Sequence, residues 1–228
     1  MPNAKPPKLR RRRSPGASPR QVAKSKATRI HVLKITINCL AKRPASDVSI
    51  ATISKYAKVS RGGVQYHFKT RRALLAATVE YLHQLRLEQF RNDLAAIKPG
   101  TDIIDAVIDT HWRHLNENLF RAYQELVLAA RSDRALSAML APKYQVFQHN
   151  WYETALTTFG WTYHDPDVAR AGEIAHYVLE GMAYGVLAGQ LGDAVIRDLL
   201  QYSKNVMHAA LEDAGPRRPS GRSKRASR

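Results

Sequence analysis

From Ala27 to Asp213 the apolar residues of this chain recur at three- and four-residue steps, a period that selects helices over strands. Ile30, Leu33, Ile37 and Leu40 open the series, and Pro44 ends the first helix. Ser46, Asp47 or Ser49 can cap a short second helix carrying Ile50, Ile53 and Ala57. After the turn Lys58-Val59-Ser60, Ser60 can cap a third helix through Tyr66. A long helix from about Arg71 to Ile97 closes at Pro99-Gly100, and Thr101-Asp102 caps the helix bearing Ile103, Ile104, Val107, Ile108 and Trp112. The stretch Leu119 to Arg131 ends at Ser132-Asp133, and the next helix runs past Pro142 to about Phe159. Asp165-Pro166 opens a segment to about Leu191, with Pro at the first helical position. Gly192-Asp193 breaks it before a last helix that ends near Asp213. With no strand-like alternation, no Asn-Gly hairpin and no repeat, the predicted fold is all-α, with about nine helices.

A chain of 228 residues is long enough for one or two domains with a real core. Its net charge of +17 is unevenly spread. Residues 1–26 hold nine Lys/Arg and no acid, and residues 216–228 hold six and no acid. Residues 27–79 hold ten Lys/Arg against only Asp47, whereas residues 80–215 hold 11 against 18 acids. Such a step predicts that the first third meets a polyanion and the body does not. The ends, 1–26 with the run Arg10 to Arg13 and 214–228 with Gly215-Pro216, lack apolar periodicity and read as disordered basic tails. A single cysteine, Cys39 between Ile37 and Leu40, excludes an intrachain disulfide and any Cys-based zinc finger, and its place predicts a core role. The apolar runs are too short for a transmembrane helix, and no apolar stretch follows the basic start, so a cytoplasmic location with no membrane partner is expected.

Residues 49–68, SIATISKYAKVSRGGVQYHF, have the spacing of two short helices joined by a tight turn. Ile50, Ile53, Ala57, Val59 and Val64 supply a shared apolar seam. Such a pair presents its second helix to a DNA major groove, with Arg61, Gly62, Gly63, Gln65 and Tyr66 pointing outward. An arginine there can pair with guanine N7 and O6, and a glutamine with adenine N6 and N7. The two glycines leave room for close backbone approach, and Lys69, Arg71 and Arg72 suit phosphate oxygens. A plain helical hairpin in a bundle core is the bland alternative.

The stretch Ser49 to Leu75, above all KVSRGGVQYHF followed by KTRRALL, resembles the TetR family of bacterial transcriptional regulators. The resemblance implies a three-helix DNA-binding head at 27–75 and a helical effector-binding and dimerisation body at 76–213. It places Arg61, Gly62, Gly63 and Gln65 at base-facing positions, and Ser49, Tyr66, His67 and Arg71 at positions used for DNA-backbone contact. The family usually has Gly where Lys58 stands, Ala at Ser54 and Thr at Gly63, so this turn must hold a non-glycine residue in an altered conformation. The expected partners are double-stranded DNA read as an inverted repeat, a second copy of the chain, and an unidentified small-molecule effector that releases a repressor.

In the body the aromatics Trp112, Tyr123, Phe147, Trp151, Tyr177 and Tyr184, with Glu180, are candidates for an effector pocket; Tyr152 also lies among them, and core packing would explain the same residues. The small residues Gly181, Ala183, Gly185, Ala188 and Gly189, with the last helix, suit a four-helix contact between two chains. Two Glu-x-x-His patterns, Glu80 with His83 and Glu173 with His176, raise a helical metal-dependent enzyme as an alternative, but no Glu precedes Glu80 to complete a di-metal set. His111 and His114 share a face and fit a polar or pocket-lining role. With no nucleophile signature, phosphate loop or His-Glu-x-x-His motif, no catalytic site, metal or cofactor is expected. A non-specific architectural nucleic-acid binder, relying on the basic tails and needing no pocket, is the second alternative.

Overall fold

A computed structural model describes residues 18–159 and 166–213 of the chain, leaving aside the side chains of Leu156 and Phe159. The described residues form nine α-helices and no strand. The order is α1 (Pro19–Leu40), a 3-10 turn (Ala45–Asp47), α2 (Ile50–Ala57), α3 (Arg61–His67), α4 (Arg71–Ala95), α5 (Ile103–Leu115), α6 (Asn118–Ser132), α7 (Arg134–Phe159), α8 (Pro166–Leu187) and α9 (Asp193–Asp213). Residues 1–17 and 214–228, where the sequence predicts disordered tails, lie outside the described residues.

The first helix begins at Pro19 rather than near Ala27, so residues 19–26 are helical and not part of a disordered arm. A capping box explains the earlier start. The Ser18 side chain accepts from the Gln21 backbone N–H at 3.3 Å, and the Gln21 side chain accepts from the Ser18 N–H at 3.0 Å. Pro19 at the first position adds a pre-set φ.

Serine and threonine side chains cap the helices around the turn. Ser49 accepts from the Thr52 N–H at 3.0 Å, Ser60 from the Gly63 N–H at 3.1 Å and Thr70 from the Ala73 N–H at 3.0 Å. Lys58, where the sequence demands an altered conformation, has φ 52° and ψ 37°, the left-handed region. It closes α2 in a Schellman turn, with the Val59 N–H on the Ser54 carbonyl at 3.2 Å. The Ser54 hydroxyl donates back to the Val59 carbonyl at 2.6 Å, so this serine holds the turn closed.

One apolar core runs through head and body. Val32, Leu33, Ile37, Ile53, Val64, Leu74 and Leu75 of the first helices join Phe120, Leu126, Leu136 and Leu179 in a continuous buried cluster. Cys39 is buried within it. A smaller cluster, Leu87, Phe90, Leu94, Phe147 and Trp151, fills the far half of α4 against α7. The boundary at residues 75 and 76 therefore falls inside one unbroken helix, α4, that belongs to both halves. Among the described residues no helix is long and apolar enough to cross a membrane.

Candidate nucleic-acid interface and buried polar centre

Val64 is fully buried beneath α3, beside Ile53 and Ala57 of α2, so the solvent face of α3 is fixed by its own core residue. That face exposes Arg61, Gly62, Gln65 and Tyr66, the last 70% exposed. Lys69 lies just beyond the helix end and is exposed. The two glycines differ. A Cβ on Gly62 would meet nothing within 4 Å, whereas one on Gly63 would meet Val59 Cγ1 at 2.9 Å and Ser60 Oγ at 3.2 Å. Gly63 is thus required by the packing of the turn, and Gly62 alone leaves an open outward surface.

His67 and Ser49 are partly buried. Burial, with a smaller push from Arg29, holds the His67 imidazole below its usual range. The Ser49 hydroxyl lies 2.9 Å from Thr52 Oγ1 as well as capping α2. Arg71 departs from the expectation of an outward phosphate contact. Its Nε donates to the Val48 carbonyl at 2.8 Å and its Nη2 to the Ala45 carbonyl, so two of its donor positions hold the 3-10 turn. The physical reason is local: two carbonyls of that turn face the guanidinium fork, and its N–H groups satisfy them.

Behind the head, five helices bring polar side chains into the middle of the body. Arg86 of α4 is only 4% exposed, and no acidic side chain forms an ion pair with it among the described residues. Its guanidinium carbon lies 4.6 Å from the Phe147 ring centroid, 5.2 Å from that of Phe120 and 5.4 Å from that of Tyr123. His83, one turn earlier, stacks on Phe147 at 4.5 Å. His111 Nε2 of α5 meets His176 Nδ1 of α8 at 3.2 Å, and His176 Nε2 meets the Tyr144 hydroxyl at 3.1 Å.

Electrostatics separate these groups sharply. Burial, and then the Arg86 charge, lower the His83 imidazole to about 3 and that of His176 to about 4. Burial, then His176 and Arg86, push His111 well below its usual value. All three imidazoles are therefore neutral near pH 7. Burial raises the Glu180 carboxyl, while Arg86 pulls it back down. Burial also raises the Tyr123 and Tyr144 hydroxyls, which stay protonated.

The pocket residues predicted from sequence are only partly brought together. Tyr123, Phe147 and Trp151 are buried, and Trp151 stacks on Phe90 at 3.7 Å. Glu180 borders the same centre, 3.5 Å from His176 Nε2. Trp112 packs half-buried against the main core. Tyr177 is a correction: it is 58% exposed, because it falls on the face of α8 opposite Ala175 and Leu179. Tyr184, seven residues on, shares that outer face and is partly exposed. Arg86, His83 and Tyr144 are absent from the pocket expected from sequence. Their signal was position: His83 and Arg86 stand in register with Val79, Leu82 and Phe90, on the buried stripe of α4.

The metal alternative loses its geometry. Glu80 faces outward and pairs with Lys143, while His83 turns inward. Glu173 is exposed, while His176 turns inward to His111. Asp102, Asp105 and His208 form one trio of ligand-type atoms within 4.8 Å. Lys204 already supplies a cation there, at 3.7 Å from Asp105.

Residues 32–78 match the family model described as bacterial regulatory proteins, tetR family. The HTH-type transcriptional regulator CymR of Pseudomonas putida is 30% identical over 116 residues, 51% of this chain and 57% of that protein. The match thus spans little more than half the length of that relative. In fold, the chain is similar to a member of the TetR family from Streptomyces coelicolor A3, with a TM-score of 0.56 at 22% identity over 80% of this chain and 97% of that one. It is also similar to the fatty acid degradation regulator FadR from Bacillus halodurans, with a TM-score of 0.55 at 15% identity over 89% and 100%.

Proposed function

We propose that this chain, whose residues 32–78 match the tetR family model, is a TetR-type regulator: a sequence-specific DNA-binding transcriptional regulator, a homodimeric repressor released by a small molecule. The observation that carries this reading is the solvent face of α3, where Arg61, Gln65 and Tyr66 project from a helix pinned by the buried Val64. In the major groove, Arg61 pairs with a guanine and Gln65 with an adenine, while Gly62 admits the DNA backbone or base edge closely. Gly63 acts with them by shaping the turn. Ser49, Tyr66, His67 and Lys69 contact phosphates and set register rather than sequence. Arg71 serves the interface indirectly, by holding the turn that leads into α2.

Two such heads are joined through the outer faces of α8 and α9. Ile174, Tyr177, Tyr184, Leu187, Val195 and Tyr202 are exposed apolar side chains on these two helices, a composition that favours burial against a second copy. The resulting two-fold dimer reads an inverted repeat.

The effector enters the body near the buried polar centre. Tyr123 of α6 faces that centre, and Glu125, two residues on, holds the head, so a shift of α6 changes the spacing of the two heads. By linkage, DNA and effector weaken each other's binding by one common factor.

Affinity selection of the full chain against a random duplex pool at about physiological salt tests the reading, since non-specific contacts are weakened there. An enriched inverted repeat supports it. Binding without enrichment contradicts it and leaves a non-specific architectural binder.

A further inference from the structure

Arg86 carries a fixed positive charge in a place where the protein supplies little to balance it. Its Nη1 has no hydrogen-bond partner, although it is buried. The three imidazoles of the same centre are neutral, and His111 Nδ1 and His83 Nε2 are likewise without hydrogen-bond partners. Glu180 is the acid that acts most on Arg86, yet its carboxylate approaches His176 rather than the guanidinium. A buried charge with an unsatisfied donor is costly, and a bound anion relieves that cost.

The surroundings narrow the anion. Phe120, Tyr123 and Phe147 ring the guanidinium, so whatever accompanies the charge meets aromatic faces. Phe147 and His83 also line a cleft of about 440 Å³ between α4 and α7, whose apolar wall is Leu87, Pro142 and Val146 and whose polar rim is Glu80, Gln84, Lys143 and Asn150. A cation would be repelled by Arg86, and a neutral molecule would leave its charge unmatched. A phosphate dianion would bring two charges to one guanidinium with Glu180 close by. A carboxylate matches the guanidinium fork with two parallel N–H···O bonds.

We infer that the body binds a small monocarboxylate with an apolar tail, its carboxylate on Arg86 and its tail among Phe147, Tyr123 and the α4–α7 cleft. This rests on the reading that the body takes a small-molecule effector, and it specifies that molecule's chemical class.

Calorimetric titration of the full chain with benzoate, octanoate, benzamide, octanamide and inorganic phosphate tests it. At least one acid should bind ten-fold or more tighter than its own amide, and phosphate should not bind. Arg86→Gln should abolish the difference between that acid and its amide, while Glu180→Gln should retain binding of the acid. Thermal unfolding of the unaltered chain gives a readout independent of any variant's folding: the acid should raise the Tm and the amide should not. Equal binding of acid and amide, binding of neither acid, tight binding of phosphate, or an undiminished preference in a folded Arg86→Gln would each overturn the inference. A carboxylate that binds through Arg86 but leaves the affinity for a selected DNA duplex unchanged upholds the site and instead contradicts the effector reading.

Discussion

Glu125 Oε1 accepts a hydrogen bond from the backbone N–H of Ala45 at 2.7 Å, so a side chain of the body holds the turn that leads into the first helix of the recognition pair. Ala45 is buried, and its carbonyl is held in turn by Arg71 of α4. Both polar groups of one backbone unit are thus satisfied from two different helices. Tyr123, two residues before Glu125, is buried with its ring centroid 5.4 Å from the Arg86 guanidinium carbon. One turn of α6 therefore touches both the head and the centre of the body.

Glu125→Ala should leave the Ala45 N–H buried without a partner, at a cost of about 1–3 kcal/mol. Urea unfolding of the two proteins measures this. Glu125→Gln, whose amide oxygen still accepts, should recover most of the loss. An unchanged stability in Glu125→Ala would mean that the turn holds itself.

Lys58 is the one non-glycine residue with positive φ among the described residues. A side chain in the left-handed region costs about 1–2 kcal/mol, part of which glycine returns as added freedom in the unfolded chain. Lys58→Gly should therefore stabilise the protein by about 0.5–1 kcal/mol. A loss of stability would show that the Lys58 side chain makes up for its own strain.

Gly62 and Gly63 should respond in opposite ways. Gly62→Ala meets open space and gains up to about 1 kcal/mol in helix propensity, so it should stabilise the fold while weakening DNA binding. Gly63→Ala drives a methyl against Val59 and should destabilise the turn. Tm and affinity for a selected duplex, measured on both variants, separate the two effects. A Gly62→Ala protein that binds DNA as before would remove the case for close approach at that residue.

Acid should destabilise the fold through its neutral imidazoles. His83, His111 and His176 have depressed values in the folded chain, against 6.5 when exposed. Below pH 6.5 the unfolded chain binds protons that the folded chain refuses, so stability falls as the pH drops. For His176 the loss runs to about pH 4, where the folded form also takes its proton, and for His83 to about pH 3. Each pH unit within a window corresponds to about 1.4 kcal/mol per group. Glu180, raised above the usual carboxylate value, works in the opposite sense but is one group against three. Urea unfolding at pH 7 and pH 5 should show a marked loss at pH 5, reduced in His83→Gln. Equal stability at the two pH values would contradict the buried, neutral assignment.

What the sequence made legible was local. Ser49, Ser60 and Asp102 announced their helices because a cap is a contact within three residues, and the three- and four-residue apolar steps marked the helices between them. The start of α1 was hidden from that reading, since the residues after Pro19 are largely polar, although Ser18 and Gln21 carried the capping box. Arg71 shows a different limit: a guanidinium can donate to a phosphate or to a carbonyl, and only the fold decides which lies in reach. Tyr177 and Arg86 exchanged the places that their chemistry suggests. An aromatic residue faces solvent because α8 turns it away from Leu179, and a charge is buried because it shares a stripe with Leu82 and Phe90.

The most direct test of the account is the ratio of affinities of the full chain for a selected inverted-repeat duplex and for a scrambled duplex of equal length at about 150 mM salt, repeated with Arg61→Ala. A sequence-reading dimer predicts a ratio of about 10³ or more. Arg61→Ala should lower affinity for the selected duplex by about 1–3 kcal/mol and leave the scrambled duplex much less affected. Equal affinity for the two duplexes, or an Arg61→Ala protein as selective as the original, would contradict the proposed reading of DNA by α3.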